Sequence, residues 1–136
     1  MRVELINTGT ELLLGQVVNT HLAYFGEQLF ELELRVERQV CVPDGDAIEG
    51  ALKEASGRAE VVIVTGGLGP TSDDLTREIT AGFFGAELRL DDKVLEHIEE
   101  RFRRRAGRVM PPENRRQAMV PCGAEVLWNP HGTAPG

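Results

Sequence analysis

The sequence predicts an α/β fold with a mostly parallel sheet, and three observations carry that expectation. Strand-like and helix-like apolar patterns alternate three times within about 85 residues, as βαβ units with right-handed crossovers do. The run Val61-Val62-Ile63-Val64 is continuously apolar, as in a parallel strand buried on both faces. It leads directly into Thr65-Gly66-Gly67-Leu68-Gly69-Pro70-Thr71-Ser72-Asp73-Asp74, after which Leu75, Ile79 and Phe83 recur at helical spacing. A loop at the carboxyl end of a strand is where open α/β sheets bind ligands.

Taken in order, Arg2 to Thr8 reads as the first strand, with Val3, Leu5 and Ile6 apolar and Asn7-Thr8-Gly9 ending it. Thr10-Glu11-Leu12-Leu13-Leu14-Gly15 is expected to be a loop. Asn19-Thr20 would cap a helix with Leu22, Phe25 and Leu29 on one face. Leu32 to Val42 alternates apolar and charged residues as a second strand. Pro43-Asp44-Gly45-Asp46 turns into a second helix, with Ala47, Ile48, Ala51, Leu52 and Ala55 inward and Gly57 as its C-cap. The central strand, loop and helix follow, ending near Gly85. Leu88-Arg89-Leu90 is a short edge strand or a connector.

Asp91 to Arg105 is the clearest helix, with Val94, Leu95, Ile98 and Phe102 inward, acids early and bases late, as the helix dipole prefers. Pro111 to Met119 reads as a further short helix with proline in its first turn. Glu125 to Trp128 reads as a late strand, with Trp128 in the core. The chain shows no internal repeat and no low-complexity linker.

With 136 residues, 41% apolar and 27% charged, the chain is long enough for one domain with a real core. The net charge of −7 argues against a nucleic-acid partner. That charge is uneven: residues 1–90 carry seven basic and fifteen acidic side chains, and residues 91–136 carry eight and seven. Seven arginines lie between 101 and 116 against the single acid Glu113. The plain account is a solvated helix end; the sharper one has Arg115 and Arg116 binding phosphate as a fork. Cys41 and Cys122 match no metal or redox spacing and read as buried free thiols. The amino terminus has no signal-like apolar stretch and no run approaches membrane-spanning length, so a cytoplasmic protein with no membrane partner is expected. His21 and His97 read as helix-surface residues, whereas His131, in a glycine- and proline-rich loop, is the histidine kept as a candidate.

The loop after Val64 has a chemical logic. Glycines allow close approach and turn successive N–H groups toward one point, and a helix start adds free donors for an anion such as phosphate. Asp73 and Asp74 would repel phosphate unless a cation lies between them, and a divalent metal of the Mg²⁺ type reconciles the two. The plainer reading is that Asp73 or Asp74 caps the helix. The loop fits neither G-x-G-x-x-G nor the phosphate loop that ends in Gly-Lys-Ser/Thr.

Thr65 to Thr71 with Asp74 and Thr76 resembles the molybdopterin-binding fold of molybdenum-cofactor enzymes, the MoaB- and MogA-like superfamily. The chain resembles more closely the N-terminal domain of the competence/damage-inducible CinA family. That likeness also rests on Asn7 to Gly15 with Asn19-Thr20, on Pro43-Asp44, on Pro112 to Met119 and on Asn129-Pro130-His131-Gly132-Thr133-Ala134-Pro135-Gly136. It implies a three-layer α/β/α, molybdopterin-binding-like domain over residues 1–136, and a homo-oligomer, dimer or trimer. It implies that family members continue beyond the point matching Gly136 and carry a separate C-terminal amidohydrolase domain, absent from these residues.

For function, the resemblance implies ADP-ribose pyrophosphatase activity with a divalent metal of the magnesium or cobalt type and potassium. Asp44, Asp74 and Glu11 match the acidic functional positions, with Glu11, Asp73 and Asp74 expected at the metal. Thr65, Gly66, Gly67, Leu68, Gly69 and Thr71 are expected to hold the diphosphate of a nucleotide-like ligand, helped by Arg115, Arg116, Asn129, Gly132 and Thr133. Two other readings use the same loop: a molybdopterin-binding or adenylyl-transfer module, and an oligomerising, regulatory domain for the amidohydrolase.

Overall fold

The computed structural model describes residues 1–136, the side chains of residues 105 and 106 excepted, so Arg105 of the arginine run lies outside the described residues. The chain divides into two compact units, Met1–Gly67 and Leu68–Gly136.

The first unit holds a three-stranded parallel sheet in the order β2-β1-β3. β1 (Val3–Thr8) is central, and all six of its residues are buried. β2 (Val36–Val42) and β3 (Val61–Thr65) flank it, and the residues of β3 are only half-buried. The valine-rich run is therefore not the strand covered on both faces; it lies at the edge of this sheet, and β1 takes the central place. α1 (Thr10–Leu13) is a single helical turn where a loop was expected. α2 (His21–Phe30) forms as expected, yet its apolar face is at best half-buried and Leu22 is exposed.

The second strand starts at Val36 rather than Leu32. Residues 31–33 form a turn in which Glu33 has a φ of 57°, and Leu32 is exposed, so the alternation before Val36 belongs to the turn. α3 (Ala47–Ser56) buries Ile48, Leu52 and Ala55 and ends at Gly57, while Ala47 is exposed.

β1 also carries a charge inward. Glu4 is buried and meets Arg58 through two parallel bonds, Nε to Oε1 at 2.9 Å and Nη2 to Oε2 at 3.0 Å. The hydrogen bond from Arg58 holds the Glu4 carboxyl below its ordinary range. A carboxyl depressed in the folded state stabilises above its unfolded pKa and loses that contribution as pH falls through the folded value. Comparing wild type with Glu4→Gln by urea unfolding should show an advantage of about 1 kcal/mol at neutral pH, reduced because Arg58 is partly exposed. That advantage should fade in acid; one that persisted below about pH 2 would contradict the ion-pair account.

The second unit begins with the loop leading into α4 (Thr76–Phe83), which buries Thr76, Arg77 and Ala81, whereas Ile79 and Phe83 are half-buried. β4 (Leu88–Leu90) pairs antiparallel with β5 (Met119–Pro121). α5 (Asp92–Ala106) starts on Asp91, whose side chain accepts from the N–H groups of Lys93 and Val94, and stops at Gly107 in the left-handed conformation. Val94 and Ile98 pack with Ala118 of a 3-10 helix, Pro112–Ala118, and with the partly buried Leu95 and Phe102.

Glu125 to Trp128 is irregular rather than a strand. Leu127 exchanges backbone hydrogen bonds with Gly136 at 2.7 and 2.8 Å, and no further rung joins them. Trp128 is exposed, with its ring edge-on to His97, and not in the core. His97 is half-buried rather than a surface residue. Cys122 is exposed and Cys41 half-buried, so neither thiol is fully buried as expected. Among the described residues, no helix is long and apolar enough to cross a membrane.

Candidate functional site

Because the three strands of the first unit run parallel, their carboxyl ends share one edge. There Asn7 of β1 stands opposite Cys41 of β2 and Thr65 of β3. Asn7 is fully buried and is the hub of a polar network. Its Oδ1 accepts from Asn19 Nδ2 at 2.9 Å and from Gln39 Nε2 at 2.6 Å, and its Nδ2 donates to Thr65 Oγ1 at 2.7 Å. His21, at the start of α2, brings Nδ1 to 2.7 Å from the same hydroxyl. Sequence reasoning put only Thr65 of this group at the site. The available signal was an asparagine inside an apolar strand, faced by Gln39 and Cys41 at period two on its neighbour.

On the β2 side of the same strand end, Gly9 N–H donates to Val42 O at 3.1 Å. Asp44 is half-buried, and its Oδ2 accepts from Thr10 N–H at 3.0 Å and from the Thr10 hydroxyl at 3.2 Å. Glu11 folds back over Gly9, where an added Cβ would lie 2.4 Å from its Oε1. Asp44, after β2, and Glu11, within α1, thus each reach the start of α1, one at Thr10 and the other at Gly9. On the β3 side, Gly66 has a φ of 97°, and a Cβ there would come 2.1 Å from Thr8 O.

The second unit organises the rest of the glycine-rich loop. Asp74 Oδ2 accepts from Thr71 N–H at 2.9 Å and from the Thr71 hydroxyl. A Cβ at Gly69 would lie 2.4 Å from that same Oδ2. α4 has Leu75 at its N-cap with no side-chain capping bond, so neither Asp73 nor Asp74 is its cap. Asp73 is exposed, and the neighbouring Thr71 side chain holds its carboxyl below the ordinary range.

Arg116 reaches this loop, and its bonds are to protein: Thr71 O at 2.5 Å, Asp74 O at 3.3 Å and Glu78 Oε1 at 2.9 Å. Burial pushes the Glu78 carboxyl up, but the hydrogen bonds from Arg116 and Arg77 outweigh it and hold the group low. Arg115 is exposed. Asn129 shapes its own turn, accepting from His131 N–H at 2.9 Å and Gly132 N–H at 3.0 Å, while Arg101 donates to the carbonyls of Asn129, Pro130 and Gly132. Thr133 is half-buried and His131 exposed.

The amides of Gly67 in the first unit, and of Leu68 and Gly69 in the second, donate to no backbone carbonyl among the described residues. Among those residues, too, no three His, Cys, Asp or Glu side chains cluster closely enough to hold a metal by themselves.

Residues 4–136 match the family model described as a probable molybdopterin binding domain. A CinA-like protein of Akkermansia muciniphila is 54% identical over 136 residues, covering all of this chain and 33% of the relative. The chain thus spans about a third of the length of the curated relatives it matches. The crystal structure of CinA from Thermoplasma acidophilum, described as of unknown function, superimposes with a TM-score of 0.88 at 34% identity, covering 100% of this chain and 80% of that one. The molybdopterin biosynthesis enzyme MoaB from Thermus thermophilus matches with a TM-score of 0.56 at 22% identity, over 88% of this chain and 78% of that one, a likeness of fold.

Proposed function

This chain belongs to the family of probable molybdopterin binding domains, in its CinA-like branch, and from that premise we propose that it hydrolyses the diphosphate of ADP-ribose to AMP and ribose 5-phosphate with a divalent metal. The observation that carries the reading is the seat of Asp44. One carboxylate oxygen is fixed by both donors of Thr10, which leaves Oδ1 with no protein hydrogen bond among the described residues. A half-buried carboxylate held in that way is oriented to accept a proton.

The donor set suits a magnesium-type ion. Such an ion takes one or two carboxylates and completes its shell with phosphate oxygens and water, so a cluster of three acids is not required. Asp74 keeps Oδ1 outside its bonds to Thr71, and Asp73 is a further carboxylate on the same loop. When bound, the ion would polarise a phosphoryl oxygen. The chain's own groups do the rest. The amides of Leu68 and Gly69, which donate to no backbone carbonyl among the described residues, bind diphosphate oxygens, and Arg116 holds the 71–74 turn. Asp44 takes a proton from the attacking water as its oxygen bonds to phosphorus and the bridging P–O bond breaks.

Product analysis with ADP-ribose and a panel of divalent cations tests this. Asp74→Asn keeps an oxygen for the two Thr71 donors, so the loop should persist while metal-dependent turnover falls by about a hundredfold or more. Full turnover in that variant would refute the assignment. The family match and the MoaB-like fold favour a second reading, a binding or adenylyl-transfer module for molybdopterin. Calorimetry separates the two, since tight binding of a molybdopterin precursor and none of ADP-ribose would reverse the order.

A further inference from the structure

The network around Asn7 has a direction that can be read from one fixed donor. The backbone N–H of His21 can only donate, so Asn19 Oδ1 accepts from it at 3.0 Å. The other end of that amide, Asn19 Nδ2, therefore donates to Asn7 Oδ1. With its oxygen so placed, Asn7 turns Nδ2 toward Thr65 Oγ1. An amide nitrogen has only hydrogens to give, so the threonine oxygen accepts and its own hydrogen must go elsewhere. The acceptor within reach is Nδ1 of His21. A bond in that direction uses the Nδ1 lone pair of a neutral ring. In that state Thr65 can show an incoming group only a lone pair.

We propose that His21 decides whether the Thr65 hydroxyl accepts from or donates to a bound ligand, and so couples binding of an anionic diphosphate to protonation of its ring. The inference rests on reading the loop after β3 as a diphosphate site, since Thr65 directly precedes Gly66 and Gly67. When Nδ1 gains a proton it donates to Thr65 Oγ1. The oxygen then accepts two bonds, one from His21 and one from Asn7, and the hydroxyl hydrogen turns outward to a phosphate oxygen. The neutral ring suits a ligand hydroxyl or water; the charged ring suits a phosphate.

The side chains touching the ring from β1 and β3, Asn7 and Thr65, do not titrate. On β2, Gln39 and the titratable Cys41 face Asn7, with Cys41 Sγ 3.3 Å from Asn19 Nδ2. Glu37 lies nearer the start of β2, Glu27 is on α2 itself, Glu11 is in α1, and Asp44 belongs to the loop after β2.

Calorimetry with ADP-ribose tests the proposal, because its diphosphate stays fully ionised throughout the pH range of the experiment and any pH dependence then belongs to the protein. Wild type should bind about tenfold more tightly near about pH 5.5 than near about pH 8. His21→Ala removes the group that claims the hydroxyl hydrogen, so it should bind at the higher pH as tightly as wild type does at the lower. Thr65→Val should bind weakly at both. Equal weakening of His21→Ala at both pH values would overturn the proposal and leave the ring a direct contact or a structural one. Nitrogen-15 shifts of the free protein provide a readout that needs no ligand. An unprotonated Nδ1 near about pH 8 is expected, and a proton found there would overturn the hydroxyl's assigned direction. If ADP-ribose binds none of these proteins, the diphosphate reading fails, and the ring shifts still decide the polarity of Thr65.

Discussion

Replacing Gly66 by alanine is expected to cost about 3 kcal/mol or more of stability. Two terms act together. The backbone at Gly66 has a φ of 97°, a region closed to residues with a Cβ. The new Cβ would also fall 2.1 Å from Thr8 O and 2.6 Å from Thr8 Oγ1. The first of those atoms is backbone of the fully buried central strand, so relief means moving β1 or β3 rather than a side chain. Gly69→Ala is the informative comparison. Its Cβ would meet Asp74 Oδ2, the movable end of a side chain, so stability should change by about 1 kcal/mol at most while the Thr71–Asp74 turn is disturbed. Urea unfolding of both variants checks this, and equal losses at 66 and 69 would contradict it.

The same contrast shows what could be read from the sequence. The glycine-rich loop, the helix after it, and α3 and α5 were legible because each has a local pattern: glycine spacing, apolar residues three and four apart, and a terminal glycine after α3. β5 was missed and Glu125–Trp128 taken in its place, since a three-residue strand has no period and is fixed by its partner, Leu88–Leu90. The start of β2 was misplaced because Leu32, Leu34 and Val36 alternate, and nothing local marks Glu33 as a left-handed turn residue.

The site divides in the same way. Asp44 could be picked out from its turn, whereas its bond to Thr10 joins residues 34 apart. Asn7, the Asn19–His21 pair and Gln39 come from three separate stretches, and the parallel register of β1 with β2 sets Asn7 beside the strand face that carries Gln39. Arg116 was expected at phosphate, and its length and fork do carry it to the loop. Its donors are taken there by carbonyls and Glu78, a competition that only coordinates reveal.

Asp44→Asn is expected to lower ADP-ribose turnover by about a hundredfold to a thousandfold while stability changes by about 0.5 kcal/mol or less. The expectation follows from separating the two things the carboxylate does. Its Oδ2 ties the loop after β2 to the first residue of α1, through the N–H and hydroxyl of Thr10. An asparagine oxygen can accept both of those bonds, so the seat survives. What disappears is the negative charge and the proton-accepting oxygen beside it. Thr10→Val makes the opposite change, removing the hydroxyl donor and leaving the charge with its backbone bond. It should cost about tenfold in turnover, because the hydroxyl's bond to the carboxylate and the Asp44 N–H bond to Thr10 Oγ1 both help to orient the group. If Thr10→Val and Asp44→Asn were to fall equally, orientation of the loop rather than the basicity of Asp44 would account for the chemistry. If Asp44→Asn turned over at the wild-type rate, the proton acceptor would have to be sought elsewhere at this sheet edge, with Glu11, folded over Gly9, the next carboxylate to test.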